Sequence, residues 1–200
     1  MANPVVSVPH EVLARRGYLS VKFNFPYKER GGTRPDPEEV LRDAYRSVAG
    51  FVSERYRPEA VVLGGKSLGG RMASLLAAEG FPCRALVFLG YPLHPPRKTD
   101  RLRTAHLFRI EVPMLFFAGT RDSLCDLELL RRTLAQLRAP TTLHVVEGGD
   151  HSFSVPKRSG RTTEEVLAEI AEKTAEFLEQ VLRRGEFGCR AGGDSGTRAR

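Results

Sequence analysis

The sequence predicts an α/β protein with a mostly parallel sheet flanked by helices, and three observations lead to this prediction. Short runs of β-branched or aromatic residues alternate with helical patterns along the chain. Most of these runs are almost continuously apolar, which is typical of strands buried on both faces. With 41% hydrophobic and 28% charged residues, the 200-residue chain has the composition and length of a globular domain with its own core.

Five runs are predicted as strands. In chain order they are YLSVKFNF (18–25), AVVLG (60–64), ALVFLG (85–90), MLFFAG (114–119) and TTLHVV (141–146). Only the first of them mixes polar and apolar residues throughout its length. The other four therefore fit the interior of a parallel sheet better than a half-exposed strand would.

Helices are predicted in the intervals between these strands. One begins near Asp36 and ends before Pro58, another covers 126–137, and the last follows Thr162. The segment GGRMASLLAAEG after the second strand and the N-terminal segment SVPHEVLARRG also fit helices. The apolar stripes of these helices are interpreted as core packing and carry no predicted function.

Composition also limits the classes of function. The net charge is +7, but the C-terminal stretch from Arg183 contributes +3 of it, and no basic motif accompanies the rest, so no nucleic-acid partner is predicted. No run is long enough for a membrane span, and the N-terminus lacks a signal pattern. Three widely spaced cysteines without a CxxC pair predict a reducing, cytoplasmic location and neither a metal site nor a cofactor.

The two ends of the chain differ in character. Residues 1–184 are predicted to form the single domain. From Gly185 the sequence reads GEFGCRAGGDSGTRAR, with five glycines in sixteen residues and almost no apolar side chain. We expect residues 185–200 to be a disordered tail.

The stretch VVLGGKSLGG (61–70) admits two readings, a phosphate-binding loop or the turn that carries a serine nucleophile. A P-loop needs a glycine five positions before its Gly-Lys pair, and Ala60 occupies that position ahead of Gly65. The apolar run extends almost to Gly65, which leaves no room for a loop that could wrap a phosphate. The phosphate-binding reading is therefore rejected.

The second reading fits G-x-S-x-G, with Gly65, Ser67 and Gly69 between a buried strand and a helix. Such a sharp turn forces the serine into an unusual backbone conformation and brings the strand and the helix close together. We expect Gly65 and Gly69 to be required because a side chain at either position would not fit. Ser67 is the predicted nucleophile.

A serine needs a histidine as base and an acid that orients the histidine. Asp122 and His151 each follow a predicted strand, in the order Ser, Asp, His that is typical of one large hydrolase class. Alternatives remain open at this stage: Asp122 as a helix cap, Asp126 as the acid, and Asp150 as a structural partner of His151. His94 and His106 are interpreted as surface or pocket-rim residues.

Several motifs together resemble a known family. FNFPY, GGKSLGGRMAS, LGYPLHPP, FFAGTRDSL and GGDHSF, in this order, resemble the α/β-hydrolase-like family related to dienelactone hydrolases. That family includes bacterial hydrolase-like proteins, a testis-expressed animal protein and a subunit of the non-specific-lethal chromatin complex. The resemblance covers residues 4–182 and implies an α/β-hydrolase fold. It also implies Ser67 as nucleophile, Asp122 as acid, His151 as base and the Leu68 N–H as an oxyanion donor.

The resemblance also implies two departures. Members of the family begin with a buried strand and an HGAG-like loop, which precede the helix that here reads SVPHEVLARRG. We therefore expect an N-terminally truncated fold that lacks the second oxyanion N–H. The strand expected between 18–25 and 60–64 in the sheet would be missing too. Dienelactone hydrolases proper use cysteine as nucleophile, so their substrate does not transfer.

These features predict a serine hydrolase that cleaves a small ester or thioester through an acyl-serine intermediate. Lys66, Tyr91 and His94 are predicted to line its pocket, and a small acyl compound is the expected partner. The alternative is a non-catalytic interaction module that keeps the scaffold and binds a protein partner.

Overall fold

A computed structural model describes residues 3–188, with the backbone alone for 184–188. Four strands and six α-helices form its framework. The strands are β1 (Val62–Lys66), β2 (Ala85–Leu89), β3 (Met114–Gly119) and β4 (Thr141–Val146). The helices are α1 (Pro4–Arg15), α2 (Pro26–Glu29), α3 (Glu38–Tyr56), α4 (Leu68–Ala78), α5 (Leu127–Leu134) and α6 (Thr163–Gly188), and 3₁₀ turns cover Ala105–Arg109 and Lys157–Ser159.

The sheet is parallel throughout and its spatial order follows the sequence, β1-β2-β3-β4. Alternating side chains of the strands point to opposite faces. Phe88 and Phe116 belong to a core with side chains of α3, α4 and α5, whereas Leu89 and Phe117 belong to a second core with α1 and α6. Every residue of β2 and β3 is buried. Burial on both faces explains why these runs are apolar without alternation.

Local capping signals fix the starts of several helices. The Asn3 side chain accepts a hydrogen bond from the Val5 N–H at the start of α1. At the start of α6, Thr162 and Glu165 form a reciprocal capping box, in which each side chain accepts from the backbone N–H of the other residue. These caps satisfy N–H groups that the first helical turn cannot pair. The predicted α/β architecture, a parallel sheet flanked by helices, is confirmed.

The first predicted strand is wrong. Residues 18–25 are extended but belong to no sheet, and the Tyr18 N–H bonds instead to the Leu13 carbonyl at the end of α1. Phe23 and Phe25 pack against Tyr45 of α3, so the segment is held by aromatic side chains and not by a backbone ladder. A strand needs a neighbour for its N–H and C=O groups, and no strand among residues 3–188 pairs with this segment.

Strand β1 is an edge of the sheet in the described part of the chain. The Val61 carbonyl and the Ser67 N–H bond toward β2. Because the backbone groups of successive residues in a strand point to opposite sides, the N–H and C=O of Gly64 point to the outer edge. The Tyr45 hydroxyl occupies this place: it donates to the Gly64 carbonyl at 2.7 Å and accepts from the Gly64 N–H at 3.0 Å. A side chain of α3 therefore pairs the backbone groups that a neighbouring strand would otherwise pair.

The last helix reaches the end of the described residues. Helix α6 continues to Gly188, past the expected limit of the domain at 184. The remainder of the predicted disordered tail, 189–200, lies outside the described residues. Among the helices of residues 3–188, none combines the length and the apolar character that crossing a membrane requires.

Candidate active site

Ser67 lies at the sharp turn between β1 and α4. Its backbone adopts φ 50° and ψ −113°, a conformation that residues with a side chain rarely adopt. The turn places Ser67 at the C-terminal edge of the sheet, directly before the N-terminus of α4. Ser67 as a whole residue is partly exposed.

The glycines around Ser67 only partly behave as predicted. A Cβ on Gly65 would come within 2.9 Å of the Gly69 carbonyl carbon, so Gly65 is required for the close approach of strand and helix. A Cβ on Gly69 would meet nothing nearer than the Phe25 ring at 4.0 Å, and the expectation that Gly69 tolerates no side chain is wrong. Gly70 fills that role, because its Cβ would lie 2.7 Å from the Gly65 carbonyl oxygen.

Three side chains from separate loops meet at this edge of the sheet. The Ser67 Oγ lies 2.8 Å from Nε2 of His151, in the loop after β4. Nδ1 of the same ring lies 2.8 Å from Oδ2 of Asp122, in the loop after β3. A carboxylate only accepts, so Nδ1 carries the proton and Nε2 is left to accept the serine hydroxyl proton. The Asp122 side chain is fully buried and the His151 side chain is 21% exposed.

The alternatives that the sequence left open resolve into separate structural roles. Asp126 caps α5, since its Oδ1 accepts the Leu129 N–H at 2.9 Å. Asp150 shapes the loop around the histidine by accepting the N–H groups of Ser152 and Ser154. Neither carboxylate contacts the imidazole, whereas Asp122 does.

The N-terminus of α4 faces the site with unpaired backbone donors. Leu68 is the first residue of the helix, and its N–H has no hydrogen-bond partner in residues 3–188. This donor lies one residue after Ser67, where a developing oxyanion would form. The positive end of the helix dipole favours negative charge at the same place.

Comparison with known proteins identifies the family of the chain. A family model described as an alpha/beta hydrolase domain matches residues 1–179. The chain belongs to this family. Its α/β-hydrolase fold also occurs in solved structures from bacteria.

One of these structures is an α/β serine hydrolase homologue from Coxiella burnetii, with a TM-score of 0.68, 20% identity, and coverage of 86% of this chain and 77% of that one. Another is the esterase domain of a Rhodothermus marinus protein, with a TM-score of 0.67, 19% identity, and coverage of 90% and 81%. A dienelactone hydrolase from Anabaena variabilis has a TM-score of 0.55, 18% identity, and coverage of 88% and 76%. At these identities the likeness establishes the fold of the α/β-hydrolase domain.

The three residues predicted to line a pocket of this α/β-hydrolase domain differ in their surroundings. Lys66 is partly buried next to Ser67, and desolvation lowers the pKa of its ammonium group while the charges of Asp122 and Asp150 oppose this effect. Tyr91 is only 1% exposed and donates its hydroxyl proton to the Arg103 carbonyl at 2.7 Å. Burial excludes a pocket-lining role for Tyr91 in this conformation.

His94 is also buried, with 3% of its surface exposed, and the structure does not support its assignment to the pocket. Its ring bonds to the loop that carries the acid instead of facing solvent. His106 is partly buried, and its Nε2 lies 2.8 Å from the Ser74 Oγ on α4. Neither histidine lies on an open rim as the sequence suggested.

Gly90 contributes to the site of this α/β hydrolase and was missed by the sequence reasoning. It follows β2 directly with φ 71°, and a Cβ there would lie 3.1 Å from the His151 carbonyl oxygen and 3.6 Å from the imidazole. The absence of a side chain therefore leaves space for His151. A glycine at the C-terminal end of a central strand, in FLGYP, was the available signal.

Proposed function

We propose that the protein is a serine hydrolase that cleaves a small ester or thioester through an acyl-serine intermediate. The observation that carries this proposal is the continuous relay from the Ser67 Oγ to Nε2 of His151 at 2.8 Å and from Nδ1 to Asp122 at 2.8 Å. Membership of the α/β-hydrolase family supports a hydrolase activity in general.

In the proposed reaction, the Ser67 oxygen attacks the carbonyl carbon of the substrate while its proton passes to Nε2 of His151. The buried Asp122 carboxylate stabilises the imidazolium that forms. The oxyanion of the tetrahedral intermediate accepts a hydrogen bond from the Leu68 N–H. His151 then returns the proton to the leaving alkoxide or thiolate, and the acyl group remains on Ser67.

Hydrolysis of the acyl-serine reverses these roles. A water molecule gives a proton to His151 as its oxygen attacks the acyl carbon. Collapse of the second tetrahedral intermediate breaks the bond to Ser67, which recovers its proton from His151, and the carboxylic acid leaves. The reaction requires the three side chains and water, and no cofactor takes part.

The surroundings of Ser67 favour a compact substrate. Between β2 and β3, the segment 90–113 contains only the 3₁₀ turn Ala105–Arg109 as regular structure. This segment therefore contains no α-helix that could serve as a lid. Small acyl groups therefore fit the proposal better than triglycerides.

A second candidate is a non-catalytic interaction module, which would bind a protein partner through the same scaffold. The edge position of β1 favours it, because an edge strand of a sheet can pair with a strand of another chain. No strand in residues 3–188 pairs with the outer edge of β1.

A fluorophosphonate probe distinguishes the two candidates, because it modifies only an activated serine. We expect labelling of the wild type at Ser67, found by peptide mass spectrometry, and none of Ser67→Ala. In Asp122→Asn, hydrolysis of 4-nitrophenyl acetate should fall about 10⁴-fold because the imidazole loses its orienting acid. A folded wild type without any labelling would contradict the hydrolase and favour the interaction module.

A further inference from the structure

The acid of the relay lies in an irregular loop after β3, and this loop needs external support. Within it, the Asp122 Oδ1 accepts the Leu124 N–H at 2.8 Å, while Oδ2 faces His151. The position of the carboxylate therefore depends on the position of Leu124. No helix or strand covers residues 120–126.

His94, from the loop after β2, holds this segment at two points. Its backbone N–H donates to the Leu124 carbonyl at 3.2 Å. Its ring Nε2 accepts the Asp126 N–H at 3.1 Å. The two contacts lie on the C-terminal side of Asp122 and connect the loop after β3 to the loop after β2.

The partners of the His94 ring determine its protonation. A backbone N–H can only donate, so Nε2 carries no proton; a carbonyl can only accept, so Nδ1, 2.9 Å from the Pro95 carbonyl, carries one. The ring is thus a neutral imidazole in one tautomer with both nitrogens used. Because it is 3% exposed, water cannot replace either contact easily.

We infer that His94 is a positioning residue for Asp122, and this inference rests on the proposed serine-hydrolase function. His94 holds Leu124 and Asp126, Leu124 holds the carboxylate of Asp122, and the carboxylate orients His151. The residue touches neither the substrate nor the reacting atoms. It acts through the alignment of the acid with the imidazole, where a displacement of about 1 Å can cost about 10²-fold in rate.

Two amide substitutions separate the contacts of the His94 ring. In His94→Gln, the amide oxygen can reach the place of Nε2 and accept the Asp126 N–H. In His94→Asn, the shorter amide can replace Nδ1 toward the Pro95 carbonyl but leaves the Asp126 N–H unpaired. His144→Asn controls for the loss of a partly buried histidine, since His144 lies on β4 and bonds to Glu169.

We expect kcat for 4-nitrophenyl acetate to fall about tenfold or more in His94→Asn with KM changed less than about twofold, because alignment is lost and substrate binding is not. His94→Gln should stay within about threefold of the wild type, and His144→Asn should match the wild type. Equal kcat in folded His94→Asn and His94→Gln would overturn the inference. A loss of kcat in both variants that is fully explained by a lowered melting temperature would also overturn the inference.

A second measurement does not depend on activity. The His151 Nδ1 proton, bonded to Asp122, gives a low-field proton NMR signal that His151→Gln lacks. We expect this signal to persist in His94→Gln and to shift or broaden in His94→Asn. An unchanged signal in His94→Asn would overturn the positioning role, even if the wild type fails to react with the fluorophosphonate and the proposed function itself is wrong.

Discussion

At the scale of single residues, Ser67 is held in a conformation that it would not adopt alone. A non-glycine residue at φ 50° and ψ −113° costs on the order of 1–3 kcal/mol, and the surrounding structure must supply that energy. The backbones approach closely at Gly65 and Gly70, and this turn is possible only because neither position carries a Cβ. The geometry of the serine therefore depends on two residues without side chains.

The two glycines that follow Leu68 should respond differently to a methyl group. Gly70→Ala should lower the free energy of unfolding by about 1–3 kcal/mol, because its Cβ would lie 2.7 Å from the Gly65 oxygen and 3.1 Å from the Phe88 ring. Gly69→Ala should match or slightly exceed the wild type, because alanine favours helix and only the Phe25 ring is near. Urea unfolding measures both. Equal stability of the two variants would contradict the packing described for the elbow.

The predicted catalytic residues could be chosen from the sequence because the chemistry limits the choice. A serine in G-x-S-x-G needs a later acid and histidine, and Asp122 and His151 follow successive strands. The buried roles of Tyr91 and His94 could not be foreseen, because burial depends on which loops pack together. The same applies to Gly69 and Gly70, whose different surroundings follow from the exact angle between β1 and α4.

At the scale of elements, the strands differ in how well the sequence specifies them. The runs that became β2 and β3 are apolar because they are covered on both faces, and the predicted positions of β2, β3 and β4 agree with the structure. The run at 18–25 has comparable β propensity, but no strand in residues 3–188 pairs with its backbone. Pairing is a property of two segments, so propensity in one segment cannot establish a strand.

The contact between α3 and the edge of β1 predicts a specific loss of stability. Tyr45→Phe keeps the aromatic packing but leaves the N–H and C=O of Gly64 without their partner, so unfolding should become easier by about 1–3 kcal/mol. Tyr56→Phe on the same helix is the matched control, because Tyr56 is 52% exposed and its ring lies outside the core. Chemical denaturation of both variants tests this. If both variants lose the same small free energy of unfolding, the hydrogen bonds between the Tyr45 hydroxyl and Gly64 do not stabilise β1.

At the scale of the whole molecule, the segment between β2 and β3 ties the C-terminal side of the sheet to α4 through a neutral histidine. His106 contacts Ser74 of α4 at 2.8 Å, and Tyr91, which follows β2, at 3.3 Å. Burial, together with the charges of Arg71 and Arg109, lowers the pKa of His106 to about 4. His106 therefore takes up a proton at a lower pH in the folded protein than in the unfolded chain.

This difference makes stability depend on pH in a predictable direction. An unfolded histidine has a pKa of about 6.5, so the contribution of His106 is complete above that pH and is lost as the pH falls toward about 4. His106→Gln cannot take up the proton. Between pH 7 and pH 5, the free energy of unfolding of the wild type should therefore fall relative to that of His106→Gln. Urea titrations at both pH values measure the shift, and a constant difference would contradict it.

Ser67, Asp122 and His151 lie in the segments that follow β1, β3 and β4. Gly90, which follows β2, leaves room for the imidazole. Every strand of the sheet must therefore be correctly docked before these three side chains meet. Under the proposed function, covalent labelling of Ser67 by a fluorophosphonate also reports on native folding. Partly folded molecules, or molecules with shifted strand register, should not be labelled, however much helix they retain.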